Sequence, residues 1–406
     1  MRPQPSIPLR ILNFFSSVGL ATALLLILMV ETWLATLEQV RHGLFDTLEK
    51  YFNMKAWYVL PDAAIMGDTF SGKFLPPLPG GYWVCLLLAL NILLGGIIRM
   101  RKGWKNTGIL LAHIGIVVLM AGGAVSQLFE ERGVMSLLKG QTADYAQSLT
   151  ETTVEVIEAH DGKPTGAVHF VTDQYYRDCV DGRTRVVKVP GLPFDLEFAG
   201  YVRNADPSPV SKERLKGEPV VDGWFLADIK VEKEEESNHP GIHVKLKPGN
   251  GSGDSTIALL TTAAFQPLTY HLGDRTFLIR MTKRVWPTPF KVRLDSAKSK
   301  FFPNTNRPRS FDSNITRIDH DAETQHFIEM NAPMRYAGMT FYQRQMAARN
   351  EGGDGDAAFS QFEVVRNPSD KWPKYSILIT GAGLLGHFIF KLATFILGRR
   401  SKRALP

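Results

Sequence analysis

The feature that most constrains this chain is a set of four long apolar segments. A helix needs about 20 apolar residues to cross the hydrocarbon core of a bilayer. Four segments reach or approach that length, at about 14–33, 82–98, 108–128 and 375–397. The composition is 44% hydrophobic on average, because a polar middle separates these segments. We therefore expect a membrane protein with three helical spans before that middle and one after it.

The first segment has two interpretations. Arg2 and Arg10 give it a basic start, and the Leu34-Ala-Thr stretch resembles the small-residue exit of a cleaved signal peptide. Glu31 and the long apolar core favour an uncleaved membrane anchor. We expect Glu31 and Lys391 to lie near helix ends, where placement at the interface or snorkelling accommodates their charges.

Basic residues orient the spans. The net charge of +7 is concentrated beside the apolar segments, in residues 2–10, in the short loop 99–105 and in the tail 399–403. Because cytoplasmic loops are enriched in Lys and Arg, both termini should lie in the cytoplasm. A nucleic-acid-binding patch is the alternative, but no basic stripe is interleaved with stacking aromatics, so we expect no nucleic-acid partner.

This topology divides the chain. Residues 1–128 form an N-terminal membrane region with a small external loop at 39–81, and residues 374–406 form the fourth span and a basic tail. Residues 129–373 are expected outside the membrane. The predicted location is the inner membrane of a bacterium.

The middle of the chain is predicted to be an antiparallel β domain. Apolar and polar residues alternate in five stretches, as they do in half-buried strands: 153–158, 194–198, 242–247, 277–281 and 290–294. Turn residues separate these stretches, which favours a sandwich or an open barrel over βαβ units. The predicted fold is thus four transmembrane helices in a 3+1 arrangement, with a mostly antiparallel β domain inserted between helices three and four.

His113 is the candidate functional residue. It lies within an otherwise uncharged apolar run, 107–125. An ionisable side chain at membrane depth usually faces a partner, a cavity or a cofactor, and neutral imidazole is a good axial ligand for haem iron. The alternative is a packing residue that forms a hydrogen bond between helices. From the residues alone these two roles are equally supported.

His387 is a second intramembrane histidine and a weaker candidate ligand. It lies about 15 Å from the inner end of the fourth segment, whereas His113 lies about 8 Å from the inner end of the third. The two side chains would flank one haem only if helix tilt closed that difference. The alternative for His387 is a histidine that faces the helix bundle.

No catalytic signature occurs in the sequence, so no catalytic residue is assigned. The two cysteines, Cys85 and Cys179, are too far apart for a Cys-x-x-Cys motif, and the role of Cys179 is open. Small residues such as Gly95, Gly115 and Gly383 recur in the apolar segments, where they let membrane helices approach closely.

One motif carries a family resemblance. The stretch Met330-Asn-Ala-Pro-Met-Arg-Tyr-Ala-Gly-Met-Thr-Phe-Tyr-Gln resembles a signature of the ResB (CcsB) family of cytochrome c biogenesis proteins. The stretch from Phe290-Lys-Val-Arg-Leu through Phe311-Asp-Ser-Asn-Ile-Thr-Arg-Ile and the 3+1 architecture resemble that family as well. The first span ends differently from the family pattern, and Asn367-Pro-Ser stands where the family has Asp-Pro-Gly.

The resemblance implies a function and partners. Proteins of the family pair with a CcsA (ResC)-like membrane protein that carries a Trp-rich motif, and together they resemble a synthase that moves haem b and attaches it to apocytochrome c. His113 matches the haem-ligand histidine of the family. The seven tryptophans here are scattered, so the chain is expected to be one subunit and at most part of an enzyme. The alternatives are an assembly scaffold without haem and a transporter component.

Overall fold

The computed structural model describes residues 6–66, 75–160, 163–210, 220–249, 255–264, 266–305, 307–320, 322–348 and 355–403. The chain forms two compact units, one made of residues 1–130 and 367–406 and the other of residues 131–366. The first contains helices long and apolar enough to span a membrane, and the second is built from strands. The predicted arrangement of three spans, a mostly antiparallel β domain and a fourth span is confirmed.

In its described residues, the membrane unit contains six α-helices, one π-helical segment and a short 3-10 helix, Ala63–Met66. Four of these stretches have the length and composition of a span: Val18–His42, Gly81–Ile98, Thr107–Phe129 and Trp372–Leu397. In chain order the helices are α1 (Ile7–Phe15), α2 (Val18–His42), α3 (Leu44–Phe52), α4 (Gly81–Asn91), α5 (Thr107–Phe129) and α6 (Trp372–Arg403), and the π-helical segment Ile92–Ile98 continues α4.

The first predicted segment, 14–33, has the wrong boundaries. A break at Ser16 and Ser17 separates α1 from α2, and α2 continues past residue 33 to His42. Asn91 stabilises the break, because its amide donates to the carbonyls of Phe15 and Ser17 at 2.7 and 2.9 Å. A polar side chain from another helix therefore donates hydrogen bonds to two backbone carbonyls at the break.

The predicted loop 39–81 is largely structured. After α2 comes α3, and two short strands, β1 (Tyr58–Val59) and β2 (Leu78–Pro79), pair with each other. Leu34, Ala35, Tyr51 and Val59 form a small buried core between these elements. This core explains why α2 extends further than its apolar run indicates.

Close contacts of small residues hold α5 against α6. A Cβ added at Gly115 would lie 2.9 Å from the backbone of Ser376, and one added at Gly108 would lie 2.5 Å from the carbonyl oxygen of Gly383. The Ser376 hydroxyl also donates to the Gly115 carbonyl at 2.7 Å. The helices are antiparallel, and these contacts fix their register. The packing role predicted for glycine holds at positions 115 and 383.

The β unit is antiparallel throughout its described pairings. Its strands are β3 (Glu131–Leu138), β4 (Thr142–His160), β5 (Lys163–Thr172), β6 (Thr184–Val187), β7 (Phe194–Val202), β8 (Ala205–Pro209), β9 (Trp224–Asp228), β10 (Gly241–Pro248), β11 (Thr256–Thr261), β12 (Leu268–Leu272), β13 (Arg275–Phe301), β14 (Pro308–Asp319), β15 (Ala322–Glu329), β16 (Met334–Tyr336), β17 (Met339–Ala348) and β18 (Gly355–Arg366).

These strands surround two hydrophobic cores. A four-stranded sheet, β11-β10-β7-β6, packs on β4, β12 and β13 around Phe194, Phe198 and Phe277, which is the predicted sandwich. The other core, around Phe341 and Phe362, lies among β3, β13, β14 and β18.

Strand β13 connects the two cores. It joins the predicted strands 277–281 and 290–294 into one strand of 27 residues. Its pairing with β4 is interrupted between Pro287 and Val292, where proline has no N–H to donate to the ladder. The sequence pattern suggested two strands because this interruption resembles a turn.

Candidate functional site

The side chain of His113 contacts the π-helical segment. A Cβ added at Gly96 would lie 3.0 Å from both Cγ and Nδ1 of His113, so only glycine fits beside the imidazole without displacing it. The side chain is half-buried on α5. π-Helical turns are rare and occur frequently at functional sites. The sequence therefore places a histidine in the span, and the irregular helix provides the room beside it.

The ring of His113 has an unused nitrogen. Its Nδ1 is buried and has no hydrogen-bond partner among the described residues. A buried polar atom that lacks a partner is costly, and such atoms in native structures usually have a functional or structural reason. A packing role through a hydrogen bond from Nδ1 to another helix, the alternative derived from the sequence, has no such bond to support it in the described part of the chain.

His387 lies at a different place. A Cβ added at Gly108, in the first turn of α5, would lie 2.8 Å from the Cβ of His387. The Nδ1 of His387 is also buried, and it has no hydrogen-bond partner among the described residues. His113 lies further along α5 from Gly108, by about 7.5 Å. The contacts thus place His387 on the α5–α6 seam and His113 on the side of α5 that faces α4.

The relative depths predicted for these histidines were wrong. Counting residues to the end of each apolar run placed His387 deeper than His113, whereas its contact with Gly108 places it nearer the basic loop that precedes α5. The count failed because the apolar run of α6 continues past the first turn of α5, where Gly108 contacts His387. Helix packing, rather than the length of an apolar run, sets the depth of a side chain.

The basic loop lies at the end of the π-helical segment. Arg99 binds the break between α1 and α2, where its Nη1 donates to the Ser16 hydroxyl at 2.6 Å. Arg101, Lys102 and Lys105 are exposed. These three cations are therefore available to anionic groups at the membrane surface, whereas Arg99 already has a structural role.

Glu31 lies in the interior of α2. It was predicted near a helix end, but α2 extends well beyond it, and its side chain is 0% exposed. Neither carboxylate oxygen has a hydrogen-bond partner among the described residues. The sequence signal was an acidic residue inside an apolar run, the same signal that singled out His113.

The motif 330–343 has a folding role in the β unit. Ala337 and Gly338 have positive φ, 49° and 75°, and connect β16 to β17 as a two-residue hairpin turn. Mirror-image turns of this kind match the twist of the strands and favour glycine. Tyr336 precedes the turn and donates its hydroxyl to Asp319 at 2.6 Å, which helps to hold the pKa of that carboxyl below its usual range.

Gln343, the last residue of the motif, lies in a buried hydrogen-bond network. Its Oε1 accepts from the Ser313 hydroxyl at 2.8 Å, and its Nε2 donates to the Ser360 hydroxyl at 3.0 Å. The network joins β17 to β14 and β18. These partners assign the motif to the stability of the β unit, in which Phe341 is also fully buried.

Neither cysteine lies in a reactive arrangement. Cys179 is buried in the sandwich core, and burial raises the pKa of its thiol. Both cysteines are free. Among the described residues, no group of three or more His, Cys, Asp or Glu side chains is arranged to hold a metal ion.

Comparison with known proteins supports the resemblance. Residues 273–371 match the ResB-like family, a region that begins in the β12–β13 turn and ends just before α6. The chain is also similar to Protein NrfI of Wolinella succinogenes, with 22% identity over 324 residues. That alignment covers 79% of this chain and 31% of the relative, so the chain spans about a third of the length of the protein that it matches.

The family match lies in the β unit and the linker to α6, and it includes the motif 330–343 but not His113. The motif that suggested the resemblance therefore lies inside the matched region. The chain carries a ResB-like sequence over residues 273–371.

Proposed function

We propose that this protein is a ResB-like subunit of a membrane complex that matures cytochrome c. The observation that carries the proposal is the ResB-like match at 273–371, located in a β unit that is inserted between the third and fourth candidate spans. The similarity to Protein NrfI supports the same general role in cytochrome c biogenesis. The finer assignments below rest on the residues of the membrane unit.

Haem is the proposed cargo, and His113 is its proposed axial ligand. The donor chemistry fits, because imidazole is a common axial ligand of haem iron. Gly96 leaves room for the half-buried ring, and Nδ1 is the nitrogen that is buried against this glycine. Nε2 is the nitrogen further from Gly96 and is the one we assign to the iron. The exposed cations Arg101, Lys102 and Lys105 suit the propionates of the same molecule.

The opposite ligand is proposed to come from a partner. His387 is the weaker candidate within this chain, since it lies on the α5–α6 seam while His113 faces α4. A CcsA-like membrane protein with a Trp-rich motif would supply the second histidine. The β unit would then dock the apocytochrome or that partner outside the membrane, with both chain termini in the cytoplasm.

The test is co-expression with a Trp-rich CcsA-like partner, followed by purification, a haem stain and absorption spectroscopy. We expect His113→Ala to lose most of the haem and most cytochrome c maturation. His239→Ala is the matched control, since His239 is exposed in the β unit, and we expect it to retain both. His387→Ala separates the two intramembrane histidines, and we expect it to keep most of the haem.

A second variant distinguishes ligand loss from misfolding. His113→Gly leaves a space beside Gly96, and added imidazole should restore the haem spectrum if the histidine is a ligand. Full haem content and full maturation in His113→Ala would refute the ligand assignment. Maturation activity with no haem in any preparation would instead support the scaffold alternative.

A further inference from the structure

Glu31 is a fully buried carboxyl group in the first candidate span. Its side chain is 0% exposed, and both of its oxygens lack a hydrogen-bond partner among the described residues. The residue lies within α2, which spans Val18–His42. Acidic residues at such positions are rare because a charge is costly in a medium of low dielectric constant, and they are functional candidates for that reason.

The Glu31 carboxyl lies against the start of α4. A Cβ added at Gly81, the first residue of α4, would lie 3.1 Å from Glu31 Oε2 and 2.5 Å from the ring of Phe52. Gly81 is therefore the place where α2, α3 and α4 meet. Cys85 lies one turn further along α4.

Glu38 shows what a charged carboxylate requires in the same unit. It lies two turns beyond Glu31 on α2, and it is 1% exposed. It accepts from Lys50 Nζ at 2.7 Å, from the Tyr51 hydroxyl at 2.8 Å and from the backbone N–H of Asp62 at 2.6 Å. A cation and two neutral donors thus compensate its burial. Glu31 has no corresponding group among the described residues.

A carboxylate in the position of Glu31 would be a buried charge without a counter-ion. The partial positive charge at the N-terminus of α4 would stabilise an anion at Glu31. However, a helix terminus compensates only a small part of the free energy needed to remove a charge from water. The less costly state is the neutral acid, which retains its proton. The other titratable groups on α2, α3 and α4 are Glu38, Arg41, His42, Asp46, Glu49, Lys50, Tyr51, Tyr82 and Cys85. None of them forms a hydrogen bond with Glu31 in the described part of the chain, and Lys50 is already bound to Glu38.

We propose that Glu31 is a proton-binding site that makes the packing of α2 against α4 sensitive to pH. The neutral carboxyl fits against Gly81 and Phe52. When the O–H bond breaks and the proton passes to water, the charge that remains on the carboxylate opposes this packing and favours opening of the contact. The inference does not depend on haem or on the proposed maturation role.

The experiment compares the purified full-length protein with Glu31→Gln over a range of pH, using thermal unfolding in detergent. A folded state that retains one more proton than the unfolded state loses stability as pH rises. We expect the unfolding equilibrium constant of the unmodified protein to rise, relative to that of Glu31→Gln, by up to about tenfold per pH unit. Glu49→Gln changes an exposed glutamate on α3 and should behave like the unmodified protein.

A second measurement needs no variant. Infrared spectra of the unmodified protein should show the carbonyl band of a protonated carboxylic acid at neutral pH, and raising the pH should convert it to carboxylate bands. Parallel pH profiles for the unmodified protein and Glu31→Gln would overturn the proposal. The absence of any carboxylic-acid band that titrates on the alkaline side would overturn it as well.

Discussion

The glycine contacts between α5 and α6 yield a quantitative prediction for Gly115→Ala. The new Cβ would lie 2.2 Å from Thr380 Oγ1 and 2.9 Å from the carbonyl oxygen of Ser376. The hydroxyl can rotate away, but the backbone oxygen can be relieved only if the helices separate. That separation would also lengthen the 2.7 Å hydrogen bond from the Ser376 hydroxyl to the Gly115 carbonyl.

The magnitude follows from these two effects. Overpacking a well-packed contact costs about 1–3 kcal/mol, and a hydrogen bond between membrane helices contributes about 0.6 kcal/mol. The expected loss in the free energy of unfolding is therefore about 2–4 kcal/mol. For a unit of this size we expect Tm to fall by roughly 4–16 °C.

The assay is thermal unfolding of the purified protein in detergent. Gly123→Ala is the matched control, because an added Cβ there meets no described atom within 4 Å. Both substitutions gain the same intrinsic helix propensity, so the difference between their Tm values isolates the contact with α6. Equal Tm values, or a Gly115→Ala protein that is more stable than the control, would show that this contact does not limit the approach of α5 and α6.

Other predictions concern the β unit. Gln343→Leu leaves two buried serine hydroxyls without their amide partner, and denaturant unfolding should show a loss of about 1–3 kcal/mol. Gly338→Ala forces a side chain into the left-handed region, and the same assay should show a loss of about 1–2 kcal/mol. The hydrogen bond from Tyr336 lowers the pKa of Asp319, so the ionised carboxylate stabilises the folded protein at neutral pH. That contribution to the free energy of unfolding is lost as the pH falls through the folded-state pKa. Tyr336→Phe should therefore make stability less sensitive to acid, as measured by acid unfolding. Cys179 should react with a maleimide only after denaturation, as measured by mass spectrometry, because its thiol is buried and its pKa is raised.

Local sequence patterns predicted which helices and strands form better than they predicted where each of them begins and ends. The period-two alternation at 153–158 and 242–247 lies within β4 and β10, because side chains on a strand alternate between two faces. The break at Ser16 and the extension of α2 to His42 were missed, since each depends on residues distant in sequence, Asn91 for the break and the core around Tyr51 for the extension.

The candidate site was accessible to sequence analysis only in part. His113 stood out because an ionisable residue in an apolar run is unusual, and the same reasoning noticed Glu31 but assigned it to an interface. The contact between His113 and Gly96 was not predictable, since it depends on how α5 packs against the π-helical segment of the neighbouring span. The motif 330–343 indicated a resemblance to the ResB-like family, which matches residues 273–371, and its side chains hold a hairpin and a buried network.

The sequence alone determined the number and order of the spans, the β character of the inserted unit and the two intramembrane histidines. These follow from hydrophobicity and from the side-chain period of each element, which are properties of short stretches of chain. The tertiary structure decided the relative depths of His113 and His387 and the full burial of Glu31. The physical reason is that backbone contacts at glycines such as Gly81, Gly96 and Gly108 set how closely the helices approach and in which register, and this packing determines whether a polar side chain meets solvent, a partner or neither.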